Sequence, residues 1–168
     1  MAIFSHHKDW NLKTIAVLAS IFILSFVIEI VGVATGTLFG AYEYGKGLGF
    51  KIADVPVVIG LNWVFLVYAS NGIISKYTSK NILIILGAAL LMVVYDIVLE
   101  KAAPLMDMWM FSENNPPANN YVMWFLLALL FNILLQVFKV STVNIPARWL
   151  FFSQLGFFVI IVSHYLIF

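Results

Sequence analysis

The chain has 168 residues, 63% of them hydrophobic and 10% charged, with a net charge of +1 and a mean hydropathy of +1.02. A soluble domain carries about 25% charged residues, so the composition excludes an ordinary soluble fold and indicates one integral membrane domain over residues 1–168. The balanced charge offers no basic face for nucleic acid, and the lack of cysteine excludes disulfides, iron–sulfur clusters and thiolate metal sites.

A spanning helix needs ~20 mostly apolar residues to cross ~30 Å of hydrocarbon. The N-terminal MAIFSHHKDWNLK is polar, and no small-residue cleavage site follows it. The first apolar run therefore reads as an uncleaved span, with His6 and His7 in a solvated tail. Five spans are predicted: Ile15–Ala34, Val55–Ile74, Ile82–Leu99, Tyr121–Val140 and Trp149–Phe168. The second is the weakest, diluted by Gly60, Asn62, Ser70 and Gly72. The expected fold is an all-α membrane bundle, because lipid forces each segment to satisfy its own backbone hydrogen bonds. Lys and Arg in the loops favour a cytoplasmic N-terminus and an outer C-terminus: six lie on the first side and three on the other.

The stretch from Glu29 to Trp63 departs from what crossing a bilayer requires. A carboxylate sits inside an apolar run, six glycines follow between Gly32 and Gly49, and Asp54 and Pro56 open the next run. A charge at the bilayer centre costs about 2.5–3.5 kcal/mol on insertion scales, so such acids face a bundle interior or a cavity. Glu29 reads either as an inter-helix hydrogen-bonding group or as an acid in a low-dielectric pocket. Gly32 and Gly36 share its helix face and form a GxxxG pair suited to close helix packing, within the chain or in a homo-oligomer. Asp54 before Pro56 reads as a helix cap.

Asp96 and Glu100 lie four residues apart on one face of the third span. Asp96 reads as an acid or as a partner of Asn62 or a tyrosine. Glu100 reads as its counterpart or as an interfacial group paired with Lys101. The four acids Glu29, Asp54, Asp96 and Glu100, drawn from three helices, are expected at one membrane face. The connection from Glu100 to Asn120 is too apolar for a solvated loop and predicts an interfacial segment or a lid. Tyr42, Tyr44, Trp63, Trp109, Phe111, Tyr121 and Trp124 cluster in or beside the two connections on that face. Such a wall suits a long apolar ligand or a developing cation, at about 0.5–2 kcal/mol per contact. No phosphate loop, dinucleotide fingerprint or grouped-His motif occurs; a metal held by Glu29, Asp96 and Glu100 would lack the usual His partners. No metal or cofactor is expected.

Glu29–Val31–Gly32 continuing through TGTLFGAYEYGKGLG and VPVVIGLNW resembles the first signature of the carotenoid biosynthesis membrane family of CruF-type carotenoid 1,2-hydratases and archaeal bisanhydrobacterioruberin hydratases. Asp96, Glu100, Pro104, Trp109 and the PxxNYxxW of Pro117, Asn120, Tyr121 and Trp124 are similar to the second. The resemblance runs from residue 29 to residue 124. Family members usually carry further helices ahead of the first block, where this chain has one span. The resemblance implies addition of water to the C1–C2 double bond of an acyclic (ψ) end of an acyclic or monocyclic carotenoid, in a bacterial or archaeal membrane. Glu29, Asp96 and Glu100 would carry the acid–base steps. Tyr42, Tyr44, Trp63, Trp109, Asn120 and Trp124 would line the substrate slot, and Gly32, Gly36, Asp54 and Asn62 would be structural. Other readings are a carotenoid cyclase or isomerase, a non-catalytic pigment-binding subunit working beside other carotenoid enzymes, and a small transporter.

Overall fold

The structure, a computed structural model, describes residues 6–167. Among them are five α-helices: α1 (Leu12–Thr35), α2 (Val58–Ile74), α3 (Asn81–Ala102), α4 (Ala118–Val137) and α5 (Ile145–Ile167). All but α2 are long and apolar enough to cross a membrane. At about 1.5 Å per residue, the 17 residues of α2 fall short of ~30 Å. Its composition reflects its place: thirteen of the seventeen are buried, and it packs against the four other helices. A central helix meets protein rather than lipid, so it tolerates the polar and small residues that weaken its hydropathy. Peripheral α5 buries only Ala147, Phe151 and Phe158.

Local chemistry sets the helix ends. Asn11 starts α1 three residues before the predicted boundary, its Oδ1 accepting the Thr14 amide at 2.9 Å. Asn144 does the same for α5, accepting from Ala147 at 3.0 Å. Gly36 ends α1 with φ of 64°, its amide donating to the Gly32 carbonyl at 2.8 Å. That left-handed closure favours glycine because it lacks a Cβ. The GxxxG expectation is thereby corrected: Gly36 is a terminator, and Gly32 packs against the ring of Phe39 from the chain's own return loop.

Apart from a single 3-10 turn at Pro104–Met106, the two long connections are not helical. Strand β1 (Tyr42–Tyr44) pairs antiparallel with β4 (Trp109–Phe111), in the register Tyr42↔Phe111 and Tyr44↔Trp109. The expected interfacial segment or lid is thus one half of a two-stranded ribbon. A second pair, β2 (Lys51–Ile52) with β3 (Val55–Pro56), turns through Ala53 and Asp54 at φ of 49° and 63°. Two central residues with positive φ make the turn that a two-residue hairpin favours. Asp54 is therefore an exposed turn residue and caps nothing; Val57 precedes α2 without a side-chain cap.

At the opposite end of the bundle a polar network joins α2, α4 and the α4–α5 loop. Asn71 donates to Asn132 Oδ1 at 2.9 Å and accepts from Thr142 at 3.0 Å and Gln136 at 3.3 Å. His7 is not solvated as expected: it is buried, with Nδ1 2.8 Å from the Tyr68 hydroxyl. His6 is exposed, as is His164 near the end of α5. Gly72 lets the Thr142 backbone carbonyl lie directly on α2. Since backbone cannot swing aside, Gly72→Ala should lower stability by about 1–3 kcal/mol. Gly156→Ala, in open space on α5, should gain about 0.5–1 kcal/mol. Thermal unfolding midpoints in detergent would read both.

Candidate active site: a small chamber between two acid clusters

Two clusters form, each from residues near one another in sequence. In the first, Glu29 sits on the last turns of α1. Beyond the Gly36 closure the chain doubles back and lays β1 against that helix. Tyr42 and Tyr44 then donate to Glu29 Oε2 at 2.6 and 3.0 Å, and Trp63 Nε1 from α2 donates to Oε1 at 3.1 Å. Both carboxyl oxygens are occupied, and the side chain is 5% exposed. A buried carboxylate needs such donors, because desolvation without them is costly.

In the second cluster, Asp96 and Glu100 project from one face of α3 into the bundle, both buried. Asn120 in the first turn of α4 bridges them, its Nδ2 3.1 Å from Asp96 Oδ2 and 3.1 Å from Glu100 Oε1. Trp109 Nε1, from β4, donates to Glu100 Oε2 at 2.9 Å. Glu100 therefore neither reaches for the interface nor pairs with Lys101, and the partner of Asp96 is Asn120 rather than Asn62 or a tyrosine. Asp96 Oδ1 is buried with no hydrogen-bond partner among the described residues. It is the one oxygen of the three carboxyls in that position.

The ribbon joins the clusters. Its strands carry the donors to Glu29 on one side and to Glu100 on the other, with the Tyr44 and Trp109 rings edge to face at 5.9 Å. Between them lies a small chamber of about 20 Å³, lined by Glu29, Glu100, Asn120 and the rings of Tyr42, Trp63 and Trp124, among others. Trp63 and Trp124 stack at 4.3 Å between centroids and form its floor. Asn62 is half-buried on the same lining. Asp54 lies outside, so the expected four acids from three helices become three acids from two. Tyr121 is half-buried on α4 and does not line the chamber. Among the described residues, no three His, Cys, Asp or Glu side chains converge as metal ligands.

Several participants were not singled out by sequence. Phe39 and Ile59 line the chamber, and Asn119 anchors the start of α4 by donating to the carbonyls of Thr37 and Leu38 at 3.0 and 2.6 Å. The only sequence signal for Asn119 is the Asn-Asn pair after two prolines. Residues 1–167 match the sequence family described as carotenoid biosynthesis protein. That match takes in both flanks of the 29–124 region. No curated protein and no solved structure matches the chain.

The two ribbon phenols lie outside the helices. Burial first, and the Glu29 carboxyl second, push Tyr42 and Tyr44 above the ordinary value of 10.0. A raised phenol favours the protonated donor form. Its hydrogen bonds are fully present below the ordinary value and persist as the pH rises through it, to be lost only at the raised one. The Tyr42→Phe/Tyr44→Phe double variant should therefore gain as much tyrosinate absorbance as the parent when the pH is taken just past 10.0. A smaller gain would mean that these phenols ionise with the ordinary ones.

Proposed function

The chain belongs to the carotenoid biosynthesis protein family, and on that premise we propose that it hydrates the C1–C2 double bond of an acyclic (ψ) carotenoid end group within the membrane. The observation that carries this reading is one small chamber on which two buried carboxyls, Glu29 and Glu100, and two stacked indoles converge, with a third buried carboxyl, Asp96, joined to it through Asn120. Hydration of an isolated alkene needs a proton for C2, surroundings that tolerate a tertiary cation at C1, and a water whose proton is taken as its oxygen bonds to C1. None of these steps calls for a nucleotide, a flavin or a metal.

The hydrogen-bond pattern separates the roles. Asp96 is the donor to C2, since its Oδ1 has no competing partner; it lies behind Asn120 rather than on the chamber lining, so the opening that admits an end group must also expose it. Glu29 is the acceptor of the water's proton: three donors orient it and leave it suited to carry charge. Glu100, tied to Asp96 through Asn120, is placed to return a proton to it. The π faces of Trp63 and Trp124 stabilise the cation. Each turnover thus moves one proton from Asp96 to the alkene and one from water to Glu29, and transfer back between the acids restores the start. Tyr42, Tyr44 and Asn120 act as positioning residues, because their polar atoms are engaged by the carboxyls.

A chamber of about 20 Å³ has room for about one water. An end group is larger, so its entry requires the aromatic wall to part. The ribbon is the wall not built from a membrane helix. In this reading the protein is a multi-pass membrane enzyme with a cytoplasmic N-terminus and the ribbon on the outer face.

Expression in a lycopene-producing bacterial host, with mass spectrometry of the extracted pigments, tests the reaction. The expected product gains one or two waters. Products of unchanged mass but altered chromatography would replace hydration by cyclisation or isomerisation. Unaltered lycopene, and an unaltered monocyclic carotenoid in a second host, would leave a pigment-binding role. Asp96→Asn and Glu29→Gln should each lower hydrated product by about 100-fold or more, the scale of a lost general acid or base. Both proteins should still accumulate in the membrane, and full turnover by both would remove the acid–base assignment.

A further inference from the structure

Alkene hydration consumes a water at a site that lipid and aromatic rings surround, so the route of that water is a structural question. Beside its acids and amides the chamber is lined by Trp63, Trp124, Ile59, Phe39 and Phe111, which offer a water no hydrogen-bonding route from the lipid side. Three hollows on the ribbon face share walls with it; one, of about 170 Å³ beside Gly45 and Asp107, touches it only at Tyr44 and Trp109, and the other two differ in character. The larger, of about 680 Å³, is polar: Thr35, Glu43, Lys51, Asp54 and Ser112 contribute to its lining. It meets the chamber through Tyr42 and Tyr44, which line both spaces. The smaller, of about 200 Å³, is walled mainly by Pro104, Trp109, Met110, Phe111 and Pro116 and reaches Glu100.

We infer that the large polar hollow is the water inlet of the chamber and that the phenols of Tyr42 and Tyr44 form its gate. Three observations converge on this. The hollow is the largest of the three and the one whose lining is mainly polar. It meets the chamber at the two residues whose hydroxyls bond Glu29 Oε2, so a water passing between them finds hydrogen-bonding groups at the junction. The acid it reaches is the one that accepts the water's proton in the proposed reaction. The hollow's position also gives Asp54 and its hairpin a use that their absence from the acid clusters leaves open: with Lys51, whose Nζ donates to the Tyr44 carbonyl, they hold the polar rim. The inference rests on the hydration reading for why water is needed, and its test does not depend on product formation.

The chain contains no cysteine, so one introduced thiol is the only one present. Ile59→Cys places it on the buried chamber lining; Glu29→Cys is a second reporter should the first not fold. Protein in lipid nanodiscs is exposed to silver ion, a water-sized thiol reagent, and the residual thiol is counted with a maleimide after unfolding. The expected result is that silver reaches the thiol and that filling the polar hollow by Ser112→Trp slows the reaction several-fold. Filling the apolar hollow by Asn114→Trp should leave the rate unchanged. No reaction in either reporter, no slowing by Ser112→Trp, or greater slowing by Asn114→Trp would each overturn the inlet. Pigment mass spectrometry on the parent chain reports separately on hydration, so a closed hollow and an absent reaction are told apart.

Discussion

A carboxylate in a membrane helix has to find its hydrogen-bond donors inside the protein, and much of this fold follows from meeting that demand three times. Glu29 draws two phenols and an indole; Glu100 draws an indole and an amide; Asp96 shares the amide. Helix backbones have no spare amides to offer, so the donors are side chains: Tyr42, Tyr44 and Trp109 on the ribbon folded back over the helix ends, and Trp63 and Asn120 on neighbouring helices. The doubled return after Gly36 and the strand at 109–111 exist in positions that supply them. The aromatic content, which at first suggests only interfacial belts, is partly a store of donors that are polar at one edge and apolar on both faces.

The same arrangement assigns different characters to the three acids. Glu29 has every oxygen engaged and is held in one geometry by three groups from two segments, β1 and α2. Asp96 keeps one oxygen unengaged in the bundle interior. A pair of acids in contrasting surroundings is what acid–base chemistry at one site requires. The contrast here comes from the number of donors more than from depth, since all three side chains are buried.

Much of this was legible in the sequence because each half of the site is local. Glu29 and its indole partner lie within one unbroken stretch from α1 to α2, and Asp96 lies close to Asn120 along the chain, so each half leaves a readable block. The helices were legible from apolar run length, with boundaries missed by a few residues where Asn11, Asn144 and the β2–β3 hairpin reset the ends. The join between the halves was not legible. Strands of three residues carry too little alternation to announce themselves, and nothing in YEY or WMF names the other as its partner. Asp54 misled because a carboxylate before a proline is an equally good helix cap and hairpin turn, and only the positive φ at two successive residues distinguishes them. Burial of His7 goes with its contact to Tyr68, a residue of α2 that sequence spacing does not link to it.

The ribbon also fixes an order of events during synthesis. Its first strand leaves the ribosome well ahead of its second, with α2 and α3 made in between. The Glu29 cluster has all its donors once α2 is in place, while the strand that bears Tyr42 and Tyr44 still has an unpaired edge. That edge waits for β4, which follows α3 directly. The chamber therefore closes only after α3 has been placed beside α2 and α4 has begun, which makes its completion, together with that of the Asp96–Glu100 cluster, a late step set on top of one earlier, shorter-range one at Glu29.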